Sequence, residues 1–467
     1  MKHNPIPTLL AIFSLLPGCT TDPSAEPAPV PNNAPLPAAS HTVSEEQALE
    51  ELRAVLEVID TAPGSADKTR SRTTRSVKNI AKISDNLPAA TRSSAASGVE
   101  DLLYIVNFED DAGYAILGAD DRLAPIYAIT DEGHLTSEEW LYAVSATPEE
   151  AEADGELVFP LQMVAQAAAA GVGGPISGIG GIGSDGPGDW ITPPPSGLLR
   201  IERSEDRKVG FYLPPQIPVT LHQGYPCNAL CPVKSGKHCL AGCTAIALTQ
   251  ILLANYHKHE SIIESIKGTP IDWSKIEKTF TNKKLLESDK LEKKPLTPEA
   301  QEVAKLVREV GRLLKIDYGL SSSSAWNQRL EDVLEQLHYQ GVHDWEYQFS
   351  KVSQMLLDRK MTTVVSGKNT VGTKKRHAFN LDGWLEREWT DTYYYINGHT
   401  SEVINKDQLI HCNFGWGGSG NGYYHYGAFD LRKGTQASKD LIEVGEYNTT
   451  KNVYYDMTLI VTYTRHP

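Results

Sequence analysis

Gly242-Cys243-Thr244-Ala245-Ile246-Ala247-Leu248-Thr249-Gln250-Ile251-Leu252-Leu253-Ala254-Asn255-Tyr256-His257 carries no proline and no glycine after its first residue. Its apolar residues Ile246, Leu248, Ile251 and Leu252 fall at helical spacing, which predicts a helix from Cys243 to about His257. A cysteine at the head of a helix is placed for chemistry. An unperturbed thiol ionises only near pH ~8.5, and free amides together with the helix dipole favour its thiolate. The Cys243 amide is also free to face a developing oxyanion. Taken alone, such a cysteine is more often a buried apolar residue or half of a disulfide.

A thiolate nucleophile needs a base that accepts its proton and returns one to the leaving amine. Of the 14 histidines, His377 opens the β-like run Ala378-Phe379-Asn380-Leu381-Asp382-Gly383-Trp384 after a loop, which places its ring at a strand end. Asn413-Phe414-Gly415-Trp416-Gly417-Gly418 follows as a glycine-rich turn, where an amide oxygen or an indole wall would fix the imidazole. Each of these residues has a plain structural reading by itself; their order along the chain is what favours catalysis.

In that order they resemble the streptopain family of secreted bacterial cysteine peptidases. Gln223-Gly224-Tyr225-Pro226-Cys227-Asn228, the nucleophile helix through Gln250-Ile251, Asp317-Tyr318-Gly319 with the serines after it, and the His377 and Trp416 segments match four elements of that family. The similarity covers roughly residues 212 to 465. It implies an α+β, papain-like domain with a helical lobe and an antiparallel sheet lobe, preceded by an α+β inhibitory propeptide. It further implies Cys243 as nucleophile, His377 as general base and acid, Trp416 packed on the histidine, and Asn413 as an orienting residue. Gln223 is the candidate side-chain donor to the oxyanion, beside the Cys243 amide. Protein or peptide substrates are implied, with an apolar preference near the second residue before the scissile bond, and no cofactor. Lys374, Lys375 and Arg376 stand where the family often has glycines, Phe414 where a further Trp is usual, and Cys412 where an aliphatic residue is typical.

The 467 residues exceed one ordinary domain. Residues 1–18 read as a lipoprotein-type signal with Cys19 as the lipidated residue, so a membrane attachment and export are expected, with an ordinary secretory signal as the alternative. Residues 19–43 are a Pro/Ala-rich tether. A capping box at Ser44 and Gln47 starts a helix running to about Ile59. Residues 102–108 and 113–118 form a hairpin, with a third strand near 124–129. The glycine-rich stretch 171–190 marks a boundary, so that residues 44–200 form the propeptide and 212–467 the peptidase domain. Arg200, Arg203, Arg207 and Lys208 are candidate maturation sites. In the second half, helices are expected from Thr297 and after Ser321 to Ser324, then strands at 361–366, 377–384, 392–397, 408–414 and 453–464.

The formal charge of −15 opposes nucleic-acid binding. With Cys19 and Cys243 set aside, Cys227, Cys231, Cys239 and Cys412 of the six cysteines are an even set for disulfides in an oxidising compartment. A zinc cluster of Cys227, Cys231, His238, Cys239 and Cys243 is disfavoured by its spacing. Rival functions are an inactive surface-binding lipoprotein of the same fold and a Cys/His hydrolase of cell-wall peptides.

Overall fold

The structure, a computed structural model, describes residues 42–62, 74–87, 99–121, 123–170, 198–203, 207–258, 263–286, 295–326, 329–369, 376–429 and 455–464. From His41 onward the chain is one compact unit. The signal, Cys19, the tether to residue 41, the glycine-rich stretch 171–190, Lys374 and Lys375 lie outside the described residues. No helix among the described residues is long and apolar enough to cross a membrane.

The N-terminal part contributes α1 (Glu45–Thr61), β1 (Val77–Lys82), β2 (Leu103–Phe108), β3 (Tyr114–Gly118) and β4 (Ile126–Thr130), then α2 (Ser137–Ser145), α3 (Pro148–Ala153) and α4 (Gly155–Ala170). Ser44 accepts the Gln47 amide and Gln47 reaches back to Ser44, so the capping box closes α1 as its sequence requires. Helices α2 and α3 carry the same device at Thr136/Glu139 and Thr147/Glu150.

Strands β5 (Leu198–Arg203) and β6 (Lys208–Leu213) lead to two short hairpins, β7 (Val233–Lys234) with β8 (Lys237–His238) and β9 (Ser265–Ile266) with β10 (Thr269–Pro270). Between those hairpins lies α5 (Cys243–His257); α6 (Trp273–Thr281), α7 (Pro298–Leu314) and α8 (Arg329–Gln336) follow. The chain then adds β11 (Gln340–Trp345), β12 (Thr363–Asn369), β13 (Arg376–Tyr395), β14 (Thr400–Asn413), β15 (Gly422–His425) and β16 (Tyr455–Thr464). The class is α+β, as expected. Because α8 starts at Arg329, Ser321 to Ser324 do not cap it; Asp317 and Ser324 instead exchange both backbone hydrogen bonds and close a loop.

All the large strands join one antiparallel sheet in the order β1-β2-β3-β4-β15-β14-β13-β12-β16-β11, with β5 and β6 also on β13. The two runs expected at 377–384 and 392–397 are thus one strand. Charged residues lie between them, yet Arg387 and Asp391 are wholly buried. Arg387 is held by Asp407 across the ladder and by Glu51 of α1 at 2.8 Å, which allows β13 to run on.

Among the described residues three buried apolar clusters meet the sheet, one of them formed by α1 (Leu52, Val55, Leu56) with Val106, Leu385 and Leu409, and the other two flanking the site. Of these two, one is helical, formed by Ile246, Leu248 and Ile251 of α5 with Val303, Leu306 and Val310 of α7, and reaches Ala378. The other joins Phe159 and Val164 of α4 to Phe379, Trp384 and Phe414. The N-terminal part therefore shares a core and a sheet with the rest, joined where Gly422 and Tyr423 pair with Thr130 and Ile129.

A second link crosses this seam. His411 Nδ1 lies 2.6 Å from Asp382 Oδ1 and Nε2 lies 3.0 Å from Asp131 Oδ2. Burial alone would lower the imidazole, but Asp382 and then Asp131 outweigh it and raise it to about 10. A folded value above the ordinary 6.5 stabilises fully below about 6.5 and is lost as pH rises through about 10. Melting temperature should therefore fall from neutral toward pH 10. In Asp131→Asn it should start lower and fall earlier, because one of the two carboxylates is gone. Parallel melting curves for the two proteins would refute the link.

Candidate active site

Gly242 precedes α5 with φ +91°, and a Cβ there would meet the Ser323 carbonyl oxygen at 3.2 Å, so the tight entry into the helix requires glycine. Cys243 follows, half-buried. Burial pushes its thiol up; the Ala378 amide, the Thr244 hydroxyl and the amides of Thr244 and Cys243 itself pull it down but do not prevail. This corrects the expectation of a depressed thiol: the helix-start amides are present, but burial outweighs them. Its hydrogen bond with Ala378 sets the sulfur against the strand that carries His377.

His377 is buried on the other face of β13. It stacks on Trp416, ring centres 4.4 Å apart and planes at 17°, and its Nε2 bonds the Phe414 carbonyl oxygen at 3.0 Å. Burial pulls the imidazole down to about 4, against a small opposing pull from that carbonyl. Among the described residues no hydrogen bond or ion pair joins His377 to Cys243. A raised thiol and a lowered imidazole leave both groups neutral at pH 7.

Phe159 of α4 packs against the stacked rings of His377 and Trp416. Its ring meets His377 edge-on at 5.9 Å, Trp416 at 6.0 Å and Phe414 at 5.5 Å. Glu156, one turn earlier, lies 3.8 Å from His222, and Pro160 sits over Gly420 of the Trp turn. Nothing in the sequence reading marked Phe159. The Thr147-Pro148-Glu149-Glu150 capping signature could have located the helical segment, but not its target.

Gln223 sits between the two halves of the site. Its carbonyl accepts the Ala241 amide at 2.8 Å, its neighbour His222 bridges to Trp416, and the Leu221 carbonyl accepts the Gly417 amide at 2.8 Å. Asn413 Oδ1 accepts from Gln250 Nε2 at 2.7 Å and from the Gly415 amide at 3.2 Å. The orienting role expected of Asn413 toward His377 is therefore not seen here; Trp416 and the Phe414 carbonyl hold the ring.

The loop 317–324 also borders the start of α5, since Gly319 accepts the Leu240 amide and Ser323 abuts Gly242. The five described cysteines are free, which corrects the expected pairing. Cys412 lies in the core shared with α4, whereas Cys227 and Cys231 lie in the helical core. Burial pushes Cys227 and Cys231 up to about 11. Among the described residues no group of three or more His, Cys, Asp or Glu side chains is arranged to hold a metal ion.

Comparison with known proteins finds similarity to the same group. Residues 221–424 match the model of the Peptidase C10 family. Streptopain of Streptococcus pyogenes and of its serotype M1 are each 24% identical over 253 residues, covering 45% of this chain and 54% of theirs. The chain thus spans about half the length of the curated relatives it matches. Among solved structures, a fragment of Prevotella intermedia prointerpain A aligns over 77% of this chain and 94% of its own, with 16% identity and a TM-score of 0.41. Active wild-type interpain A aligns over 54% and 95%, with 18% identity and a TM-score of 0.34. Residues 221–424 are thus similar to the Peptidase C10 family, and the motifs resemble those of the streptopain-like cysteine peptidases.

Proposed function

We propose that this chain is an exported cysteine endopeptidase made as a zymogen, and that residues 44 to about 200 are its own inhibitor. One observation carries the reading: Phe159, from the N-terminal part, is wedged against His377 and Trp416, while Cys243 waits at its helix start against Ala378 of the strand that bears His377. Removing that wedge frees the imidazole to turn toward the sulfur and opens it to water. Both pKa displacements, which come from burial, then relax toward an ion pair.

In the active arrangement the Cys243 proton passes to His377 and the sulfur attacks a peptide carbonyl carbon. The C–S bond forms, and the oxyanion lies toward the Cys243 amide and Gln223. His377 returns the proton to the leaving nitrogen as the C–N bond breaks. Water, deprotonated by His377, then attacks the acyl-enzyme and releases the acid and the thiol. Substrates are proteins or peptides.

Of the four basic candidates for maturation, Arg200, Arg203 and Lys208 lie in strands paired with β13. Arg207 is bound to Glu51 at 3.0 Å and lies over the Trp389 ring. A protease needs an extended, unpaired segment, so these four positions are withheld in the intact chain and the cut belongs outside the two strands.

The test is labelling with an epoxide inhibitor of cysteine peptidases alongside casein hydrolysis. Matured wild type should take the label and degrade casein; Cys243→Ala should do neither. A wild type that takes no label supports the inactive binding lipoprotein, and one that spares casein but cleaves peptidoglycan peptides supports the cell-wall hydrolase.

A further inference from the structure

Gln250 lies seven residues after Cys243, two turns down α5 and close to the same face of that helix. Its amide is completely buried and spans two other elements of the site. Nε2 donates to Asn413 Oδ1 at 2.7 Å, and Oε1 accepts from Asn380 Nδ2 at 2.7 Å. Asn380 Nδ2 donates in addition to the Ala247 carbonyl of α5 at 3.0 Å. Asn380 and Asn413 face each other directly in the β13–β14 ladder. Three side-chain amides therefore tie together the helix that bears the nucleophile, the strand that bears the base and the turn that bears Trp416. The turn is fixed to α5 a second time, where Gly415 at φ +75° lies against Ile246.

Stability alone does not call for this arrangement. Buried amides give little net gain over apolar groups of the same shape. Asn380 Oδ1, moreover, has no partner among the described residues, a cost that an aliphatic side chain would avoid. What directional bonds provide and an apolar contact does not is a single permitted registry of the elements they join. Hydrophobic packing of α5 on β13 would tolerate a slide of a fraction of a turn. The three bonds do not.

We infer that Gln250, Asn380 and Asn413 form a positioning unit that fixes the separation of the Cys243 sulfur from the His377 strand and from the Trp416 turn. The inference rests on the cysteine-peptidase reading. It gives Asn413 a role through the scaffold rather than through a bond to the imidazole, consistent with an oxygen that already accepts two hydrogens.

The experiment uses the matured enzyme obtained from the full-length chain and measures casein turnover together with the pH dependence of Cys243 alkylation by iodoacetamide. Gln250→Met keeps the side-chain length and removes both bonds. It should lower kcat about 10–100-fold with little change in KM, as a misplaced nucleophile does, and should shift the alkylation profile toward that of an isolated thiol. Asn413→Leu should do the same, and Asn413→Asp, which keeps the acceptor oxygen, should lose less. The Gln250→Met/Asn413→Leu double variant should lose no more than either single, because one unit is already broken. Additive losses with an unshifted alkylation profile would show ordinary core residues and overturn the inference alone. If instead the variants merely unfold, activity per folded molecule stays at the wild-type level, which also overturns it. A wild type with neither turnover nor epoxide label overturns the peptidase reading and this inference with it.

Discussion

Phe159→Ala in the full-length chain is expected to raise the rate of Cys243 alkylation near pH 6.5 by about 100-fold or more. The ring is 1% exposed and touches four aromatic rings on the catalytic side, those of His377, Phe379, Phe414 and Trp416. Truncating such a side chain costs about 3–5 kcal/mol. Most of that loss falls on the closed arrangement, since the open one does not make these contacts, and the balance moves accordingly. At pH 6.5 a lone thiol raised by burial is almost inert, so fast alkylation reports a thiolate paired with an imidazolium. Phe159→Leu should lie between the two. Equal rates in wild type and Phe159→Ala, with circular dichroism showing intact folds, would mean that α4 does not hold the site closed.

Arg387→Ala is expected to lower the stability of the intact chain by about 3–5 kcal/mol, the cost of leaving a buried charge without its partner. Asp407 is 2% exposed. Burial would raise it, but Arg387 and then His425 keep its carboxylate below the ordinary range; without the guanidinium, burial is left to oppose the charge, and the carboxyl either stays charged and unpaired or takes up a proton, each at a cost. The double replacement Arg387→Met/Asp407→Leu should recover much of the loss, because it deletes both charges. Glu51→Gln should cost far less, since its carboxylate is partly open to solvent. The check is the midpoint of urea unfolding for the four proteins. A single Arg387→Ala as mild as Glu51→Gln would show that the buried Arg387–Asp407 pair does not hold β13 to β14.

The site was legible where chemistry and local geometry coincide. A cysteine after a glycine at the head of an apolar run reads as a helix-start nucleophile because both signals sit within a few residues. Ser44 and Gln47 foretold the start of α1 for the same reason. What escaped depends on partners far along the chain. The expected strands end at 384 and resume at 392, and the charges between them, Glu386 and Arg387, find their partners in Glu51, Asp407 and Lys406, distant in the chain. The depressed thiol was inferred from backbone dipoles alone, and the burial that reverses it comes from tertiary packing. Asn413 was matched to the imidazole by its place beside Trp416, while its actual partner, Gln250, lies 163 positions away in the chain.

The pairing of Gly422 and Tyr423 with β4 has a consequence for any severed product. A chain cut after α4 and parted from its front portion would leave β15 with a bare row of amides and carbonyls, and β4 on the departing fragment with the complementary row. Each would be an open template for strand addition, so the fragment could re-anneal competitively, and crowded product would tend to associate edge to edge. The four-residue length of β15 limits that hazard.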